Sequence, residues 1–306
     1  YAANANARAL ARSDTHTIGI IVPALVDPFF GYMVRGLEHA AQDSGRLAVI
    51  ATTGSRRDAE LALIDRMQER RVDAVILVSG ARVDLPYQRQ LAQRAEALEA
   101  MGSRLVLCAH PALSIPSPAR SVAYDNEGGA FSVTEHLIAH GHRRIAFVGG
   151  DREHPTFARR LEGYLRALRS RGIEPDDAII RTDGFGRDAG SRATRALLDD
   201  AAGVTAIFAV NDTIAAGVYD ALHDAGLRIP QDVSVVAYDD TPLATDLTPK
   251  LTTVHVPLEQ MGRDALRAAL AEPDAFARTP EDVLTLGTYL VTRDSVATPP
   301  RTNIPD

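Results

Sequence analysis

The stretch from Thr205 to Asp240 constrains what this chain can fold into more than any other. Its short apolar run, 206–210, reads as a strand buried on both faces. Asp212 then offers an N-cap, and Ile214, Val218 and Leu222 recur at helical spacing. Gly226 supplies a left-handed stop, and Pro230 keeps the helix from resuming. A second apolar run, 233–238, ends in Asp239 and Asp240. One strand–helix–strand unit therefore sets Asn211-Asp212 and Asp239-Asp240 at the carboxyl ends of two strands. In open α/β sheets that is the edge where ligands bind.

The same alternation runs along the rest of the chain. Apolar strand candidates are 17–22, 46–52, 73–79 and 104–108, separated by helical patterns near 30–44, 57–71 and 84–101. A strand near 119–124 leads to Asp125-Asn126-Glu127-Gly128-Gly129, and the pattern restarts. Helices are expected at 127–140, 156–171 and 188–201, and strands at 144–149 and 178–182, with a last helix at 257–271 and a strand near 284–291. Such alternation predicts two similar subdomains, each a parallel sheet covered by helices on both faces. With 306 residues there is length for both cores, and no apolar run approaches the ~20 residues of a membrane helix. The single cysteine, Cys108, excludes an internal disulfide and suits a reducing compartment. A net charge of -7 argues against nucleic-acid binding by the bulk of the chain.

Three motifs carry a resemblance: Ala-Val-Asn-Asp before a helix (209–212), Gly-Leu-Arg-Ile-Pro-Gln-Asp-Val-Ser-Val-Val-Ala-Tyr-Asp-Asp (226–240), and Pro-Lys-Leu-Thr-Thr-Val (249–254). The chain is similar over nearly its whole length to the lactose-repressor (LacI/GalR) family of transcription regulators. The resemblance implies a periplasmic-binding-protein-like fold whose two subdomains are joined by three crossovers. They are expected at 17–124 plus 255–284 and at 125–254 plus 285–306, after a hinge-helix segment or linker at 1–16. In the family a Tyr-x-Pro-Asn-x-x-Ala-Arg-x-Leu segment closes the helix-turn-helix domain. Here Tyr1, Asn4, Ala7, Arg8 and Leu10 match it, with Ala3 in place of proline. Leu10 would be the apolar wedge in the minor groove, beside Arg8 and Asn4. On this reading the helix-turn-helix itself is missing, and operator DNA is a partner of the whole regulator.

The resemblance also implies a small effector, with a sugar the best fit, bound between the subdomains, and a homodimer formed through helices near 30–44 and 57–71. Asp239 would grip the ligand as the first Asp of Tyr-Asp-Asp, although a carboxylate at a sheet edge can simply be solvated. Asp212 reads first as a helix cap, while Asn211 offers donor and acceptor groups to a hydroxyl-rich ligand. The family's Arg-x-x-Gly pattern falls on Arg160 and Gly163, so Arg160 is expected in the cleft as a forked donor, with His154 and Thr156 beside it. Phe29 and Phe30 follow a strand end, where one ring could cover a sugar face. Phe208 is either plain core or a further contact. Neither Asp239 nor Arg160 is expected to be core, so alanine at either should leave folding intact.

Other signals point nowhere. Glu135, His136, His140 and His142 look metal-like, but Gly141 ends their helix and the order is not that of a zinc protease, so no metal is expected. Gly184-Phe185-Gly186 with Gly190 has the wrong spacing for a dinucleotide loop and reads as loop geometry. No cofactor motif and no nucleophile elbow appear, which disfavours an enzyme. A secreted sugar-binding protein of a transport system is the alternative to a cytoplasmic regulator. The start at Tyr1 rather than Met does not choose between them.

Overall fold

The computed structural model describes residues 15–78, 84–110, 112–182, 184–200, 203–271 and 283–300. The segment holding Asn4, Arg8 and Leu10 lies outside them. The chain divides into two compact units. One runs to Tyr124 and takes back Pro257–Leu286; the other takes Asp125–Val256 and the residues from Gly287 onward.

The first unit is a six-stranded sheet in the order β11-β5-β4-β3-β1-β2. Its strands are β1 (Thr17–Val22), β2 (Leu47–Thr52), β3 (Ala74–Val78), β4 (Arg104–Cys108), β5 (Arg120–Tyr124) and β11 (Val283–Leu286), all paired in parallel. In the inner strands β1, β3, β4 and β5 side chains alternate between two largely buried faces, as a parallel strand requires. Ile21, Val75, Leu77, Leu105 and Leu107 meet helices α2 (Arg57–Glu69) and α3 (Leu85–Glu99) in one cluster. On the other face the Cys108 thiol lies 3.4 Å from the Met33 sulfur of α1 (Pro28–Asp43). Burial pushes that thiol up to about 12, so it behaves as a small apolar group. Helix α9 (Leu258–Leu270) packs on α1 so closely that a Cβ on Gly36 would stand 2.1 Å from the Glu259 carbonyl oxygen.

The second unit has its own six-stranded sheet, β12-β10-β9-β8-β6-β7. Here β6 (Ile145–Val148), β7 (Ile180–Arg181), β8 (Ala206–Ala209), β9 (Ser234–Asp239) and β10 (Thr252–His255) are parallel, and β12 (Tyr289–Val291) is antiparallel to β10. Helices α4 (Asn126–Ala139) and α5 (Pro155–Ser170) pack together, as do α6 (Arg187–Asp199) and α7 (Asp212–Asp224); α8 (Leu243–Asp246) is one turn. The aromatic centre is Phe147, with Phe157, Tyr164 and Phe208 around it at ring-centroid distances of 5.3, 5.2 and 4.9 Å.

Three expectations need correction. The single strand near 284–291 is two strands, β11 and β12, in different sheets, because the chain changes unit after Leu286. The outer returns accordingly lie at 256/257 and 286/287, two residues beyond the expected 254/255 and 284/285. The expected strand 178–182 opens inside a 3-10 turn, Asp177–Ile179, and only Ile180–Arg181, β7, is strand.

Candidate functional site

The carboxyl edge of the second sheet gathers polar groups from three neighbouring strands. Strand β9 ends at Asp239, β8 ends one residue before Val210-Asn211, and β6 ends before Gly149-Gly150 and the loop into α5. Arg160, one turn into α5, is 2% exposed and reaches across this edge. It donates from Nη2 to Asp239 Oδ1 at 2.8 Å, from Nε to Asn126 Oδ1 at 2.9 Å, and from Nη1 to the Val210 carbonyl oxygen. Its guanidinium also lies 3.8 Å from the centroid of the Tyr238 ring, a desolvated cation–π contact. Tyr238 in turn donates to the Asp125 carbonyl oxygen at 2.6 Å. So the arginine is a buried fork held on every side, and with Asp239 it forms a fixed donor–acceptor pair. This buried setting overturns the expectation that both side chains lie outside the core.

Asp239 and Asp240 both have positive φ, 109° and 56°. Such backbone is strained for any residue with a Cβ and persists only where neighbours hold it. Asp240 is held by Arg293 Nη2 at 2.5 Å and by His255 Nδ1 at 2.8 Å, with the His255 ring stacked on Tyr289.

The helix cap falls on Asn211 rather than on Asp212. The Asn211 Oδ1 accepts from the Ile214 amide at 2.9 Å. Asp212 is 1% exposed, and its carboxylate accepts from Thr241 N at 2.6 Å, Thr241 Oγ1 at 3.0 Å and Thr253 Oγ1 at 2.7 Å. The one-residue offset matters because the cap must keep extended backbone, and Asn211 has it, at φ -153°. Burial, and then the charge of Asp239, holds the Asp212 carboxyl well above the usual carboxylate range, against the pull of its threonine hydrogen bonds. With the folded value above the unfolded one, the folded chain binds more protons in the window between them. Stability therefore falls as pH rises through that window. Asp212→Asn should flatten the fall, measured as urea midpoints from mildly acid to mildly alkaline buffer; an unchanged slope would remove Asp212 as its source.

The remaining candidates divide. Phe208 is fully buried against Phe147, so its ring is core and offers no face to a ligand. His154 and Thr156 are half-buried at the start of α5, where no side chain caps the helix. Phe29 and Phe30 belong to the first unit, half-buried at the start of α1, edge to face at 5.3 Å, with Phe29 also near Tyr124. Asp27 caps that helix by accepting from the Phe29 amide at 2.9 Å.

One residue read as loop lies against a site candidate. Phe185 is 47% exposed, and its ring meets His154 edge to face at 4.9 Å. Its loop is fixed by a pair of backbone hydrogen bonds, Gly150 N to Gly184 O at 2.7 Å and Gly184 N to Gly150 O at 3.1 Å. Asn126 and Tyr238 were also not singled out. The usable signal for Asn126 was its place in a polar pair, Asp125-Asn126, directly after the end of β5. The histidines are structural: His142 bridges Thr205 Oγ1, Ser234 Oγ and the Ala297 carbonyl oxygen, and His140 bonds the His136 carbonyl. No group of side chains among the described residues is arranged to hold a metal ion. No helix among them is long and apolar enough to cross a membrane.

A family model described as a periplasmic binding protein-like domain matches residues 134–296. Catabolite control protein A of Priestia megaterium is 33% identical over 268 residues, covering 87% of this chain and 78% of that protein. The HTH-type transcriptional regulator GalR of Escherichia coli (strain K12) is 32% identical over 299 residues, 98% of this chain and 84% of the regulator. Among solved structures, a complex of the transcriptional regulator CelR with cellobiose superimposes with a TM-score of 0.79 at 32% identity, covering 92% of this chain and 85% of that one. A LacI family regulator from Enterococcus faecium, solved with ribose bound, gives 0.77 at 26% identity over 92% of this chain and 99% of that one. Relatives this similar along this much of the sequence place the chain in the LacI/GalR family of transcription regulators.

Proposed function

We propose that the chain is the effector-sensing part of a transcription regulator, and that its effector is a small sugar bound at the carboxyl edge of the second sheet. The supporting observation is the convergence of Arg160, Asp239, Asn126 and the Val210 carbonyl at the ends of adjacent strands. Such a fixed polar cluster suits hydroxyl groups, which both donate and accept. Phe185 and His154 add an aromatic face beside it, and Thr156 and Asn211 add polar rims. Cellobiose and ribose in the solved relatives support the sugar class. The relatives are regulators, which favours this reading over transport.

The protein binds rather than converts its ligand and works in the cytoplasm. It shifts operator affinity only by the difference in its effector's affinity for two states. Asn4, Arg8 and Leu10 meet operator DNA, with Leu10 as the wedge. The working assembly is a symmetric homodimer. Sedimentation at micromolar concentration should give two chains per particle, and a strict monomer would sink that part.

A thermal-shift screen of ribose, galactose, cellobiose and nucleosides, then calorimetry on the best hit, tests the effector reading. A sugar should raise the melting temperature and be recovered unchanged. Phe185→Ala should leave the unliganded melting temperature alone and weaken the hit about ten-fold, the order of one aromatic contact. A nucleoside hit with no sugar response would replace the sugar class, and unaltered affinity would remove Phe185 from the site.

A further inference from the structure

The Asp239 carboxylate sits on a turn that the backbone alone would not choose. Two successive non-glycine residues, Asp239 and Asp240, have positive φ, and the chain continues at once into Thr241. Side chains must therefore hold the turn, and two carboxylates do so. Asp240 ties it outward to Arg293 and His255. Asp212 ties it inward, taking both the amide and the hydroxyl of Thr241 on Oδ2 and the hydroxyl of Thr253, on β10, on Oδ1. Asp212 thus joins the start of α7, the exit of β9 and the middle of β10 in one buried knot.

We propose that Asp212 is a positioning residue: its buried carboxylate pins the Asp239–Asp240–Thr241 turn so that Asp239 is aimed at Arg160. Three observations support this over the alternatives. The cap of α7 is already made by Asn211, so Asp212 is not needed there. Its exposure of 1%, with each oxygen accepting from a protein donor, leaves it no part in ligand contact. Thr253 also lies on β10, paired with Ala237 of β9, so the same side chain ties the turn to the neighbouring strand. An asparagine here keeps one oxygen for Thr241, and its amide can donate to the Thr253 hydroxyl. An alanine leaves three donors without an acceptor.

The functional consequence rests on the effector-site reading above, whereas the pin itself is measurable with no ligand present. The readouts are amide exchange at Asp240 and Thr241 and the Arg160 Nε–H resonance, assigned with Arg160→Lys. In Asp212→Ala, exchange at these two amides should quicken about ten-fold more than in β8, and the Arg160 signal should broaden. Asp212→Asn should stay close to the parent. If Asp212→Ala does not fold, Thr253→Val takes its place and should move both readouts in the same direction, with Thr253→Ser restoring them. Exchange that quickens equally in β8, β9 and the turn would make Asp212 a general stabiliser and overturn the positioning role. So would an unchanged turn in the folded variant. A sugar screen without a hit, beside a turn that loosens as described, would count against the effector reading alone.

Discussion

Arg160→Ala will destabilise the second unit by about 3–5 kcal/mol, the cost of leaving one member of a buried ion pair without the other. The Arg160 and Asp239 side chains are 3% and 6% exposed and 2.8 Å apart, so water cannot replace the lost partner. Without the arginine, the buried Asp239 loses its Arg160 donor, the Asn126 and Val210 oxygens lose theirs, and the Tyr238 face loses its cation. Asp239→Ala should cost a similar amount, because it strands the guanidinium. Circular dichroism at 222 nm in urea measures this, and it should show the loss in one transition, since the units are separate compact bodies. The double replacement should cost less than the two singles added together, because neither charge is then left behind. Single variants that melt like the parent would mean that the pair is solvated in solution. Such variants cannot serve as clean binding mutants, which is why Phe185 is the better probe of the effector.

How much of this was legible follows from what a one-dimensional pattern carries. Strand and helix periods were readable because each element buries apolar residues at its own spacing, and β1, β4 and α5 fall within a residue of expectation. The edge of the site was readable as well, since polar residues that end apolar runs must sit at strand ends. Partnership was not readable. Nothing along the chain says that Arg160 will find Asp239, 79 positions away, or Asn126, 34 positions away. The cap was misplaced by one residue because Asn211 and Asp212 are both good caps, and only the tertiary hydrogen bonds from Thr241 and Thr253 draw Asp212 inward. Phe208 followed a strand pattern that fits either core or site, and Phe147 decides for core. Phe185 was hidden by its glycines: Gly184 and Gly186, at φ 91° and 94°, read as plain loop although they shape the segment that carries the ring.

Gly217→Ala should destabilise the second unit by about 3 kcal/mol, the upper end of the usual range for overpacking. Helix α7 crosses α6 with a glycine on each side. A Cβ on Gly217 would stand 1.8 Å from the Arg187 carbonyl oxygen and 2.7 Å from the Ser191 amide; one on Gly190 would stand 2.3 Å from the Ile214 carbonyl oxygen. These neighbours are backbone, which cannot swing aside as a side chain does, so the helices must separate. Separation lifts the start of α7, where Asn211 caps and Asp212 holds the β9 turn, and so the strain should reach the site. Alanine's own helix preference, worth ~1 kcal/mol over glycine, offsets only part of that. The control is Gly31→Ala in α1, where the nearest atom, the Leu25 carbonyl oxygen, is 3.9 Å away and the same preference acts alone. That variant should be stabilised by roughly 0.5–1 kcal/mol. Urea midpoints of the two variants should therefore move in opposite directions from the parent. Equal midpoints would show that the α6–α7 crossing relaxes without cost, and the tight packing of glycine against backbone would then not be what sets the height of α7 over the sheet.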